Sequence, residues 1–229
     1  PDGAAIDKVE DGCVVHRGTP FYSKEEVHDL AARAADLQID LAIHAMGNCA
    51  IDGVLDAYEH VRRSGSEHSL LRIEHAFVAE KRQADRMADL GVDLVAQPGL
   101  AYDWGSLFED WRGEGQDHLQ VMPMRSMIDA GVRVSLASDY PCGPYDPAHI
   151  MYVAVTRKMA NGGRIEHEEA ISAAEALRCY TANAAAALGR EELEGSIEPG
   201  KRGNALVLDR DIVQGDPDDI RNMRVDMTF

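Results

Sequence analysis

Three residues that can do chemistry each close a short apolar run: LQIDLAI ends at His44, LLRIE at His75 and VRVSLAS at Asp139. In parallel α/β folds the carboxyl ends of strands gather functional groups, because loops and helix N-termini converge on that face. Taken singly, each residue has a plainer role. A lone histidine at a strand end is more often a hydrogen-bonded structural residue than a ligand, and an Asp in a Ser-Asp turn commonly caps a helix. Taken together, two imidazoles and a carboxylate at the same end of three strands suit a divalent metal such as zinc. The carboxylate is also able to take a proton from water. Metal-dependent hydrolysis is the chemistry this set implies.

The elements that must position these groups are read from periodicity. SKEEVHDLAARAAD (23–36) opens with an N-cap Ser and an acidic first turn, and Val27, Leu30, Ala31 and Ala34 recur at helical spacing. A strand is expected over Leu37 to His44, a turn at Gly47 and Asn48, and a helix over 50–63. The pattern repeats with a strand over 70–76, a helix over 79–90 and a strand over 92–98. A polar and aromatic loop is expected next, holding Tyr102, Trp104 and Trp111. Its Tyr102 and Trp104 either line a substrate pocket or pin the loop. A helix over 118–131, a strand over 132–139, and helices over 147–159 and 172–188 complete the body. Apolar runs alternating with amphipathic helices signal βαβ units, hence an α/β fold with buried parallel strands. The segment GSIEPGKRGNALVLDRDI reads as a strand pair leaving that body.

Charge and composition exclude several classes. Lys and Arg number 23 against 40 Asp and Glu, a net charge of −17, which argues against nucleic acid or an anionic membrane as partner. Cys13, Cys49, Cys142 and Cys179 are widely spaced, so neither a disulfide framework nor a thiolate zinc site is suggested and a reducing, cytoplasmic setting is expected. No apolar run reaches the length of a membrane span. The opening PDGAAIDKVEDG has no signal-peptide pattern and reads like the middle of a loop, which raises the expectation of a piece of a longer protein. His28, His60 and His68 read as surface residues, and His118, His149 and His167 as polar residues at helix starts. No G-x-S-x-G elbow, phosphate-cradling G-x-x-x-x-G-K-[ST] or dinucleotide G-x-G-x-x-G is present.

Four ordered motifs, HAMGNCAIDGVLDAYE (44–59), RIEHA (72–76), SDYP (138–141) with YDPAHIMYVAVTRK (145–158), and SAAEALRCYTANAAAALGREELEGSIEPGKRGNALVLD (172–209), resemble the amidohydrolase superfamily, specifically amidohydrolase family 3. The resemblance implies the second half of a metal-dependent-hydrolase (β/α)8 barrel over 1–190. Residues 191–229 would then be the C-terminal strands of a small β subdomain. It implies His44, His75 and Asp139 as metal ligands on the fifth, sixth and eighth barrel strands, with Asp139 also the catalytic proton carrier. The implied substrate is a small amide-like or formamide-like molecule. The H-x-H pair that the family places on its first strand is absent, so the chain is expected to be inactive alone and its exposed barrel edges to favour association with another copy. Where relatives often read His-x-x-Gly-Asp, this chain has Asn48; where they often read Gly-Lys-x-Ala-Asp, it has Gly200-Lys201-Arg202-Gly203-Asn204. A non-catalytic α/β binding or assembly module, or a metal-assisted deaminase or isomerase on the same barrel, are the alternative readings.

Overall fold

The computed structural model describes residues 5–10, 13–65 and 70–229, and His68, read above as a surface residue, lies outside them. Two strands come before anything expected from periodicity. β1 (Ile6–Glu10) and β2 (Cys13–Arg17) form an antiparallel hairpin with Ile6 opposite Arg17. Helix α1 (Lys24–Asp36) begins where expected, because Ser23 accepts from the Glu26 amide while the Glu26 carboxylate accepts from the Ser23 amide.

The first parallel strand begins later than expected. The amides of Leu37, Gln38 and Ile39 turn back to the carbonyls of Arg33, Ala35 and Ala34, and Gln38 takes a φ of 54°. Leu37 and Ile39 are therefore spent on ending the helix, and β3 runs over Leu41–Gly47. Helix α2 (Asn48–Arg63) follows at once, burying Ile51, Val54, Leu55 and Tyr58 on one face. β4 (Leu71–Glu80) pairs in parallel with β3 and with β5 (Asp93–Ala96), and α3 (Lys81–Leu90) connects β4 to β5. Ion pairs from Arg82 to Asp52 (2.6 Å) and Arg86 to Asp56 (2.9 Å) tie α3 to α2.

Two further expectations are corrected. The aromatic loop is helix α4 (Gly99–Arg112), whose buried stripe is Ala101, Gly105 and Phe108. Glycine hides that stripe from a hydrophobicity reading, yet a Cβ at Gly105 would stand 2.4 Å from Met159 Sδ. The helix expected over 118–131 is instead strand β6 (Leu119–Val121) followed by the short helix α5 (Met124–Asp129). β6 pairs antiparallel with the end of β4, Val121 opposite Val78 and Leu119 opposite Glu80, which extends β4 beyond its expected length. Three residues of alternation are too short to tell from a helical turn.

Contacts divide the chain into two compact units, Pro1–Val95 with Ser106–Arg133, and Ala96–Gly105 with Val134–Phe229. The second holds β7 (Val134–Leu136) and α6 (Pro147–Thr156), where the Asp146 side chain caps the helix and Pro147 opens it. Arg157, fully buried beyond α6, donates from Nε to the Ile165 carbonyl, and burial pushes its pKa down to about 10. The helix expected over 172–188 is broken into α7 (Ala173–Tyr180) and α8 (Ala182–Ala187). At the break, Thr181 donates from Oγ1 to the Leu177 carbonyl at 2.7 Å and leaves helical geometry with φ −121° and ψ −87°. The tail is a strand pair: β8 (Leu206–Leu208) runs antiparallel to β9 (Val225–Thr228), with a 3-10 turn at Pro217–Asn222 between them. Among the described residues no helix is long and apolar enough to cross a membrane.

Candidate functional site

His44 and His75 lie within β3 and β4 rather than at their last residues, because both strands run on toward α2 and β6. They nonetheless mark where regular parallel pairing stops. The register holds from Leu41 opposite Leu71 to Ala45 opposite His75, then shifts before Gly47 pairs with Val78. Within the ladder, Ile43 opposes Ile73 and His44 opposes Glu74. Since successive side chains alternate between faces, His75 would ordinarily share the face of Ala45, away from His44.

The backbone overrides that alternation. His75 has φ 84° and Ala76 φ 49°, conformations that side-chain-bearing residues rarely hold and that cluster at functional sites. The two imidazoles meet edge to face with ring centroids 4.5 Å apart and planes at 75°. His44 is exposed and His75 buried, 7% exposed. Behind His75 stands an aromatic stack: Phe77 at 5.0 Å, and Phe108 stacked on Phe77 at 4.5 Å. That wall fixes the imidazole by packing. His44 also lines a cavity of about 1000 Å³ together with Phe21, Tyr22, Val27 and Leu30.

The chemistry of the imidazole pair fits a borderline divalent ion, since neutral ring nitrogens are preferred zinc ligands. Among the described residues no group of three or more His, Cys, Asp or Glu side chains is placed to hold a metal. Asp139 belongs to the second compact unit. It follows β7, takes φ 55°, and its carbonyl accepts from the amides of Cys142 (2.8 Å) and Gly143 (3.2 Å). The helix-capping role raised for it above falls instead to Asp146, whose carboxylate accepts from the Ala148 amide at 3.0 Å.

Of the two aromatic candidates, Trp104 is 51% exposed on α4, while Tyr102 is part of a cluster that sequence spacing does not reveal. Its ring meets His149 edge-on at 4.7 Å, and its hydroxyl accepts from Arg221 at 3.2 Å. The Arg221 guanidinium lies 5.1 Å from the Tyr102 ring and 5.7 Å from that of Tyr152. His149 stands in the first turn of α6, at a helix start as expected, and is buried there. Burial first, and the Arg221 charge second, hold its imidazole below the usual pKa of 6.5.

An α/β body with a parallel helix-connected sheet and a pair of imidazoles where regular parallel pairing stops is the architecture of the second half of a metal-dependent-hydrolase barrel. The chain belongs to the amidohydrolase family, whose model matches residues 4–229. It is 60% identical over 225 residues to the N-substituted formamide deformylase of Arthrobacter pascens, a match covering 98% of this chain and 42% of that protein. Among solved structures it resembles an uncharacterized metal-dependent hydrolase of Pyrococcus horikoshii, at 26% identity and TM-score 0.74, over 94% of this chain and 43% of that one. A metal-dependent hydrolase of Pyrococcus furiosus is similar at 29% identity and TM-score 0.67, over 81% of this chain and 36% of that one. The chain thus spans about two fifths of the length of the curated relatives it matches.

Proposed function

We propose that this chain is the C-terminal part of a metal-dependent hydrolase that cleaves the C–N bond of N-substituted formamides or related small amides. The observation that carries the reading is the His44–His75 imidazole pair, brought together by an unusual backbone at His75. The relationship to the deformylase supports it. In this reading His44 and His75 hold a divalent ion, zinc by the chemistry of its nitrogen ligands. When bound, such an ion polarises a carbonyl and lowers the pKa of water. Asp139 takes a proton on its carboxylate and returns it to the departing nitrogen. Tyr102 contributes a hydroxyl to substrate binding, and Trp104 an indole face. Residues 1–190 would supply the later barrel strands and 191–229 a small β subdomain, with the remaining ligands upstream and the chain inactive alone. A cytoplasmic location and self-association through the open β3 edge belong to the same reading.

The test uses the intact polypeptide. Metal content and formate release from N-butylformamide are measured for wild type and His75→Ala. The variant is expected to lose stoichiometric metal and roughly a thousandfold or more in kcat/KM. Retention of both metal and activity by the variant would end the proposal.

A further inference from the structure

The hairpin of β1 and β2 is pinned where it stands by two primary amides. Asn48, at the start of α2 and 1% exposed, accepts on Oδ1 from the Asp7 amide at 2.9 Å and from the Cys49 amide at 3.0 Å. Its Nδ2 donates to the Asp7 carbonyl at 3.1 Å and to Glu80 Oε1 at 2.8 Å. Gln116 repeats the arrangement two residues along β1, accepting from the Val9 amide at 2.9 Å and donating to the Val9 carbonyl at 2.8 Å. Each side chain imitates a neighbouring strand, so the outer edge of β1 is paired although no strand lies there among the described residues.

The clamped hairpin lies beside the strand segments that hold the imidazoles. Ile6 packs with Val78 and Leu119, with Met46 and Trp111 against the same cluster. Met46 is two residues beyond His44 and Val78 three beyond His75. β1 also passes in contact with Gly47, where a Cβ would stand 2.2 Å from the Ala5 carbonyl oxygen.

We infer that Asn48 is a positioning residue that clamps the hairpin against the ends of β3 and β4, making it one wall of the entrance to the His44–His75 site and a determinant of which N-substituents fit. What enters rests on the hydrolase reading above; the clamp rests on the hydrogen bonds alone. The amide is essential to it. An Asp at this position would have no donor for the Asp7 carbonyl and would set a second carboxylate against Glu80.

Asn48→Asp and, independently, Gln116→Glu are made in the intact polypeptide and read two ways. Hydrogen exchange is followed over residues 5–10, and KM and kcat are measured for N-alkylformamides from methyl to octyl. Each variant is expected to speed exchange in residues 5–10 tenfold or more while β4 and β5 keep their protection. KM for the octyl substrate is expected to shift tenfold or more relative to methyl, with kcat within threefold. Adding Glu80→Gln to Asn48→Asp restores part of the lost protection, since it removes the carboxylate pair. Unchanged exchange in both variants overturns the clamp; an equal change in KM for every chain length overturns the wall. If wild type hydrolyses none of these substrates, the proposed function fails by itself, and the exchange data still decide the clamp.

Discussion

His75 meets His44 at a backbone with positive φ, which its place in the sequence does not announce. Regular alternation would set it away from His44, yet at φ 84° the two rings meet, with the Phe77 and Phe108 rings behind His75. The three polar groups after apolar runs were legible as residue types, but the backbone at His75 was not, since residue type outside glycine signals a positive φ only weakly. The Tyr102, His149 and Arg221 cluster was equally hidden, because Arg221 lies 119 residues from Tyr102. His149 yields a pH prediction. Its folded pKa is held below 6.5 by burial and then by Arg221, against the opposing pull of Asp103 and Asp146. The folded state therefore binds that proton less readily than the unfolded chain. The resulting stability is present above pH about 6.5 and is lost as pH falls through the lowered folded value. Urea midpoints of the intact polypeptide at pH 8, 6 and 5 should fall more steeply for wild type than for His149→Phe. Equal slopes would show that His149 does not titrate this way.

Elements with their own punctuation were legible. Ser23 and Ser172 each open a helix through a capping box, and Glu26 and Glu175 stand three residues on to complete it. Elements defined by a distant partner were not. β6 is a strand because β4 pairs with it, and β1 has no periodicity strong enough to announce it. Gly47 is the junction at which such a distant partner decides a residue type. It ends β3, and the approach of Ala5 and Ile6 leaves no room for a methyl group, with the nearest obstacle a backbone carbonyl that cannot rotate aside. Gly47→Ala should cost about 1–3 kcal/mol of stability by overcrowding, measured by denaturant unfolding of the intact polypeptide. An unaltered midpoint would mean that the hairpin does not bear on β3.

At the scale of the whole molecule, 40 acidic residues against 23 basic ones make a surface that repels polyanions. A polypeptide of these 229 residues should leave the mobility of duplex DNA unchanged in 0.15 M salt at about 1 μM protein, because without a basic surface it gains nothing from counterion release. A shifted band would contradict that reading of the charge. The alternation of apolar runs with helices, together with four motifs spread along most of the chain, was enough by itself to determine the α/β class and the family. Local periodicity and short-range capping are properties of contiguous residues, and contiguous residues are what a sequence displays. The tertiary structure alone decided that the imidazoles of His44 and His75 meet, that Asn48 and Gln116 hold a hairpin beside them, and that Asp146 rather than Asp139 caps α6. Apart from the local cap choice, these follow from backbone angles outside the usual regions and from hydrogen bonds between residues tens of positions apart, where no short window of sequence holds both partners.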